Sequence, residues 1–155
     1  MTDRISRTSR TIRAKPDRIY AAFLDPDQLV RWLPPGGMTG RIHAFDGRVS
    51  GGYRMSLYYP SSEGGQGKTA ENEDQVEVRF TALEPPHRIV EAVTFVTEDA
   101  ALKGEMTMTV TIEPAREGSH VTLHFIDLPP GLSPEANDEG ARLSLEQLAR
   151  AVEGD

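Results

Sequence analysis

The sequence contains no cysteine, and this absence excludes several kinds of site at once. Disulfides, thiolate-bound metals and cysteine nucleophiles all require that side chain. Long apolar runs are absent too, since no stretch of about 18 apolar residues, enough for a membrane-spanning helix, occurs in the chain. The first residues contain no apolar signal segment. We therefore expect a cytoplasmic protein that does not insert into a membrane.

Basic residues are few and scattered. Lysine and arginine number 17 against 24 aspartates and glutamates, which gives a net charge of −7. Nucleic-acid binding depends on clustered positive charge, so we do not expect nucleic acid as a partner. Hydrophobic residues make up 37% of the chain, which is enough for one folded domain over residues 1–155 rather than a disordered chain.

A glycine-rich segment, SEGGQGKTA at residues 62–70, resembles the end of a phosphate-binding loop because it contains Gly67-Lys68-Thr69. The complete pattern requires a glycine where this chain has Ser62. Such a loop also needs a helix directly after it, whose free amides hold the phosphates. Here acidic residues and then a strand pattern follow. We interpret the segment as a hairpin loop, and we do not expect the protein to be an ATPase.

Helical spacing of apolar residues occurs in three segments. Residues 16–24 and 26–33 form two short segments, each with proline in the first turn. A longer helix is predicted from a cap at Ser133 to Val152. Its apolar stripe consists of Ala141, Leu145, Leu148 and Val152.

The remaining segments alternate apolar and polar residues with the period of a strand. Such strands have one apolar face and one solvent-facing face, and their hairpin order indicates an antiparallel sheet. The apolar face must be covered, and only the last helix is long enough to cover it. We therefore predict an α+β helix-grip fold, in which a curved antiparallel sheet of six to seven strands surrounds a long C-terminal helix, with two short helices after strand 1. The predicted strands are residues 6–14, 41–45, 53–59, 76–82, 88–97, 106–112 and 120–125.

A curved sheet that grips one helix leaves an apolar space between them, and large side chains of both elements are candidates to line it. Methionines and aromatic residues line adaptable pockets, but they also fill ordinary cores, and the sequence leaves both interpretations open. The candidate ligand-binding residues are Trp32, Tyr53, Met55, Phe80, Glu91, Phe95, Met106, Met108, Leu145 and Leu148.

Glu91 is the one carboxylate among these candidates and a weak candidate for catalysis. It shares one face of its strand with Ile89 and Val93, but Val90 and Ala92 make the opposite face nearly as apolar. If the face of Glu91 is buried, its protonated form is favoured, which suits a general acid or a ligand anchor. If the phase is reversed, Glu91 is an ordinary surface residue.

Two histidines share one strand face, as metal ligands sometimes do. His120 and His124 lie opposite the apolar residues of their strand, and no third ligand is evident. We therefore predict no metal site and no cofactor. Leu143 is an apolar residue on the far side of the last helix and is a candidate contact residue in a homodimer.

Four stretches carry a resemblance to a known family. They are DPDQLVRWLPPGGMTGRIHAFDGRVSGGYRMSL, LEPPHRIVEAVTF, GEMTMTVTI and GSHVTLHFIDLPPG. Together with the GKTA loop they resemble the bacterial, single-domain branch of the activator-of-heat-shock-protein-90-ATPase-like domains, within the SRPBCC (START-like) superfamily. The resemblance runs from about residue 6 to residue 152. It implies a helix-grip fold with a deep apolar cavity.

The resemblance also implies three functional expectations. Relatives include carriers of hydrophobic ligands, so the leading hypothesis is non-catalytic binding of a small hydrophobic or amphipathic ligand. The alternatives are an enzyme of the polyketide cyclase/aromatase or hydrolase type, and a module that regulates a chaperone ATPase. Members of the family usually carry Gly-Trp where this chain has Gly140-Ala141, which should enlarge the cavity. The eukaryotic activator has a separate N-terminal domain that we do not expect here, which weakens the chaperone hypothesis.

The interpretation of residues 62–70 predicts that the protein does not bind nucleotide. Addition of Mg-ATP should leave the melting temperature in a thermal-shift assay unchanged, because no helix N-terminus is available to hold the phosphates. Lys68→Ala should behave like the unaltered protein. Stabilisation by Mg-ATP that disappears in Lys68→Ala would contradict the hairpin-loop interpretation.

Overall fold

The computed structural model describes residues 4–60 and 73–154, so the glycine-rich segment with Gly67-Lys68-Thr69 lies outside the described residues. Seven strands and three α-helices are present in the described ranges, with a short 3₁₀ turn at Ala100–Leu102. In chain order they are β1 (Ser6–Ile12), α1 (Pro16–Leu24), α2 (Pro26–Trp32), β2 (Thr39–Asp46), β3 (Gly52–Tyr58), β4 (Glu73–Glu84), β5 (Arg88–Phe95), β6 (Glu105–Ala115), β7 (Gly118–Ile126) and α3 (Pro134–Val152).

The strands form one open, curved sheet in the order β1-β7-β6-β5-β4-β3-β2, and every neighbouring pair is antiparallel. This confirms the predicted α+β fold, including the two short helices after β1 and the long C-terminal helix. Four strands, β2, β4, β6 and β7, are longer than predicted. The longest, β4, passes through a register shift between Phe80 and Ala82 and continues to Glu84. In the parts of the chain that the structure describes, no helix is long and apolar enough to cross a membrane.

Helix α3 packs on the inner face of the sheet through its C-terminal half. Leu145, Leu148 and Val152 are each at most 1% exposed. Burial of a side chain of this size contributes roughly 1.5–3 kcal/mol, so these three anchor the helix. At the other end, the Ser133 hydroxyl accepts a hydrogen bond from the amide of Ala136 at 3.0 Å and caps the helix as predicted.

The two short helices pack against each other around the only tryptophan of the chain. The indole N–H of Trp32 donates to the carbonyl of Ala22 at 3.0 Å, and the ring meets Phe23 edge-on at 4.7 Å. Asp25 caps α2 by accepting from the amide of Asp27. These contacts fix where α2 ends and therefore where the following loop, residues 33–38, crosses the sheet.

Helix α3 holds this loop through side chains that bond to backbone groups. Ser144 donates its hydroxyl to the carbonyl of Leu33 at 2.6 Å. The amide of Gln147 donates to the carbonyls of Trp32 and Pro34, both at 2.7 Å, and its oxygen accepts from the amide of Gly36. These hydrogen bonds satisfy backbone polar groups of the loop where the loop meets the helix, and they fix its position beside the sheet.

The packing of α3 predicts that Leu148→Ala lowers the free energy of unfolding by about 2–5 kcal/mol, because Leu148 is fully buried and its loss leaves a cavity. Leu143→Ala on the same helix should cost less than about 1 kcal/mol, because that side chain is only half-buried. Urea unfolding of both variants measures the difference. Equal costs would contradict the assignment of the buried face.

Candidate functional site

A cavity of about 230 Å³ lies between the sheet and the N-terminal half of α3. It exists because the inward side of this half carries mainly small residues, whereas the C-terminal half carries the large apolar ones that touch the sheet. The loop after α2 closes one side with Leu33, Pro35 and Met38. The small α3 residues on the cavity are Ala136, Gly140, Ala141 and Ser144.

Inward-facing residues of β3 to β7 form the opposite wall. The register places Glu91 of β5 beside Met108 of β6, and Phe95 lies four residues further along β5. Phe95 is half-buried whereas Glu91 is only 3% exposed, so the cavity opens at the Phe95 end and is deepest at Glu91. At about 3.3 Å per residue the two positions are about 13 Å apart. The lining therefore extends about 13 Å along β5, and it also spans the five strands from β3 to β7.

Five of the predicted ligand-binding residues line this cavity. They come from three strands, β3, β5 and β6, and they share the inner face of the sheet. They are Tyr53, Glu91, Phe95, Met106 and Met108.

The structure assigns the other five candidates, Trp32, Met55, Phe80, Leu145 and Leu148, to the packed core, each at most 1% exposed and outside the cavity lining. Met55 points toward β2, where its methyl group would lie 2.8 Å from a Cβ at Gly40. Phe80 packs edge-on against Phe45 at 6.1 Å.

Several lining residues were not among the sequence-based candidates. Asp74 lies just before the predicted strand 76–82, because that prediction began β4 too late. The loop residues carried no periodic signal at all. The small residues of α3 did carry one, since Ala136, Gly140 and Ser144 recur every four positions on one side of the helix. Small residues on the side of a helix that faces a sheet leave space between the two, so that spacing indicates a cavity.

Glu91 faces the cavity, so the alternative surface position is wrong. Glu91 is 3% exposed, and its neighbours on the same face, Ile89 and Val93, are 0% and 8% exposed. Burial is the only cause that raises its pKa, from 4.5 to about 8. Within the described residues, no group donates a hydrogen bond to this carboxyl. At neutral pH it is therefore largely protonated and has a donor and acceptors available to a ligand.

Tyr53 supplies the second polar group at the deep end. Its ring stacks on Phe45 at 5.6 Å, and its side chain is 7% exposed. Burial raises the pKa of its hydroxyl well above the ordinary value, and the nearby charge of Glu91 raises the pKa further. The preceding Gly52 allows β3 to approach β4 closely, since a Cβ there would lie 1.8 Å from the carbonyl oxygen of Val78. The phenol therefore stays neutral and has a fixed position.

The other polar lining groups are already engaged within the protein. Asp74 accepts a hydrogen bond from the hydroxyl of Tyr59 at 2.8 Å, and the amide of Asn137 donates to Ser6 at 2.9 Å. The hydroxyl of Ser144 bonds to the loop as described above. Among the described lining residues there is no lysine, arginine or histidine. The described lining of the cavity is thus mainly apolar, and its only ionisable side chains are the phenol of Tyr53 and the carboxyls of Asp74 and Glu91.

The two histidines considered as metal ligands lie away from the cavity. His120 and His124 are half-buried on the outer face of β7, and the Nδ1 atom of His120 lies 3.2 Å from the hydroxyl of Thr11. In residues 4–60 and 73–154, no three histidine or acidic side chains are grouped so that they could hold a metal ion.

The sequence matches the profile of the family described as Activator of Hsp90 ATPase homolog 1-like protein over residues 13–153. The chain belongs to this family. Its fold is that of the SRPBCC superfamily, as the resemblance implied. No curated protein matches the sequence.

Solved structures show how widely this fold is shared. The chain is 33% identical to protein CV1439 from Chromobacterium violaceum, with a TM-score of 0.86 over 98% of this chain and 99% of the other. Protein Ms6760 from Mycobacterium smegmatis is 18% identical, with a TM-score of 0.76 and coverage of 98% and 92%. DynU16, a protein of the dynemicin biosynthetic locus, is 19% identical with a TM-score of 0.69; the match spans 99% of this chain and 48% of DynU16. The last two similarities show the fold alone.

The raised pKa of Glu91 predicts how stability depends on pH. Between about pH 4.5 and 8 the folded protein keeps a proton that the unfolded chain releases, so the free energy of unfolding falls as pH rises through this window. The contribution of Glu91 is at most about 1.4 kcal/mol per pH unit. Glu91→Gln should lack this contribution and gain stability relative to the unaltered protein as pH rises.

Urea unfolding at several pH values measures this difference. Glu77→Gln, which removes an exposed carboxyl from the outer face of β4, controls for the change in net charge. If both variants follow the unaltered protein with the same pH dependence, Glu91 does not carry a raised pKa.

Proposed function

We propose that the protein binds a small hydrophobic or amphipathic ligand in the cavity between the sheet and α3, without chemical conversion. The observation that carries this proposal is the cavity itself, about 230 Å³ and lined mainly by apolar side chains. Binding sites for small molecules have this character, with a few polar groups that set orientation. Here Glu91 and Tyr53 are those groups.

The dimensions of the cavity limit the size of the ligand. An engineered apolar cavity of about 150 Å³ binds benzene, so this larger cavity has room for a ring with a short chain. The length of about 13 Å between the positions of Glu91 and Phe95 agrees with such a shape. A polar end of the ligand would reach Glu91, and its apolar end would lie toward the opening.

The described lining of the cavity contains few groups that could catalyse a covalent reaction. Among the described lining residues, the one serine or threonine is Ser144; its hydroxyl donates to a backbone carbonyl, and no histidine or lysine of this lining could act as its base. Activation of a serine requires such a base within hydrogen-bonding distance. A binding role therefore fits the described residues better than a hydrolase.

One observation supports an enzyme of the cyclase/aromatase type as the second candidate. The pKa of Glu91, about 8, is close to neutral pH, where a general acid or base works best. Regulation of a chaperone ATPase has only the family's description in its favour. Leu143, considered as a contact residue, is half-buried, and its Cδ1 atom would lie 3.8 Å from a Cβ at Gly36.

The proposal predicts that Ala141→Trp abolishes binding, because Ala141 lines the cavity and an indole there would fill it. The neutral probe 4-phenylbutan-1-ol should bind the unaltered protein in a calorimetric titration. Its affinity should fall at least about tenfold in Ala141→Trp. Tryptophan at Leu145 would be a poorer test, since that residue lies in the core.

Ala151→Trp provides the matched control, because Ala151 is exposed on the same helix. This variant should bind the probe like the unaltered protein, and circular dichroism should show that both variants fold. Binding that survives Ala141→Trp unchanged, or no binding of the probe to any form, would contradict a ligand site in this cavity.

A further inference from the structure

The two carboxyls and the absence of any cation on the described lining restrict the chemistry of the ligand. Fatty acids and other anionic amphiphiles would place a negative charge beside Asp74 or Glu91, with no lysine, arginine or histidine on the described wall to balance it. An unpaired negative charge in this apolar cavity is unfavourable, and repulsion between like charges is added where Glu91 ionises, near and above about pH 8. The ligand is therefore neutral or positively charged.

From this arrangement we propose that the ligand class is the hydrophobic primary amine, whose protonated nitrogen binds the unpartnered Glu91 carboxyl at the closed end of the cavity. This inference rests on the proposed function. An ammonium group has three donors and no acceptor, so it complements a wall that offers carboxylate and phenol oxygens. Glu91 is 3% exposed and free of any described hydrogen-bond partner, so its oxygens are available to such a group.

Tyr53 supports the same choice of ligand. Its phenol oxygen, close enough for the charge of Glu91 to act on it, can accept a second hydrogen bond from the ammonium.

The charge state of Glu91 links this binding to pH. The titratable groups that face the cavity are Tyr53 on β3, Asp74 on β4 and Glu91 on β5; the described lining residues of β6, β7 and α3 have none. At pH 7 the release of the Glu91 proton lowers the affinity for an amine only about tenfold, because the pKa of Glu91 is about 8. An alkylamine keeps its own proton to about pH 10. Amine affinity should therefore rise up to about tenfold per pH unit as pH approaches 8, and then level off.

A neutral ligand that accepts a hydrogen bond from protonated Glu91 would show the opposite dependence. Its affinity would be constant below about pH 8 and would fall above it, as the donor is lost. The direction of the pH profile therefore separates the two ligand classes.

The test compares three probes with the same apolar body: 4-phenylbutylamine, 4-phenylbutan-1-ol and 4-phenylbutyrate. Calorimetric titrations from pH 6 to 9 should give the order amine, alcohol, acid, with at least about tenfold between amine and alcohol at pH 8. In buffers of different ionisation enthalpy, amine binding at pH 7 should release a proton. Glu91→Gln should remove both the preference for the amine and its pH dependence, while the alcohol still binds. Glu77→Gln should bind all three probes like the unaltered protein.

The outcomes distinguish a failure of the amine inference from a failure of the proposed ligand-binding function. If the alcohol binds in a manner sensitive to Ala141→Trp but the amine binds no more tightly, the amine inference is overturned and the hydrophobic site stands. An amine preference that persists in Glu91→Gln also overturns it. If none of the probes binds, the proposed function itself is contradicted.

Discussion

The large apolar side chains of α3 pack on the sheet along only half of the helix, and the site depends on this constraint. Leu145, Leu148 and Val152 hold the C-terminal half against the inner face, and their burial gives the helix its position. The N-terminal half is tied to β1 by the hydrogen bond from Asn137 to Ser6, but its small residues leave the space above the neighbouring strands unfilled. A cavity is therefore a direct consequence of where the large side chains stop along one helix.

The predicted fold followed from strand alternation and one amphipathic helix, because burial forces those patterns on the sequence whatever the details of packing. The site followed less completely. Glu91 could not be placed from its own strand, because both faces of β5 are apolar, and only the sheet's register with Phe80 and Met108 determines its side. Met55 shows a further limit, since it lies on a strand next to the cavity but turns toward Gly40. Sequence periodicity assigns a face to a residue, whereas side-chain direction within that face depends on neighbours from distant parts of the chain.

A buried carboxyl without a partner destabilises the folded protein at any pH where the unfolded chain would ionise it. An apolar residue at this position would avoid the cost of a buried carboxyl, so a contribution to stability does not explain the presence of Glu91. Functional sites commonly retain such locally unfavourable groups. The hydrogen bonds of Asp74, Asn137 and Ser144 strengthen this contrast, because those polar lining groups have partners within the protein, whereas Glu91 has none among the described residues.

Trp32 offers a practical consequence of the way the short helices pack. It is the only tryptophan in the sequence, and its indole is fixed by the carbonyl of Ala22 and the ring of Phe23, outside the cavity lining. Intrinsic tryptophan fluorescence therefore reports whether α1 and α2 are docked, and its signal is separate from occupancy of the space under α3. An emission spectrum that stays constant during a titration would accordingly carry no information about whether a molecule had entered.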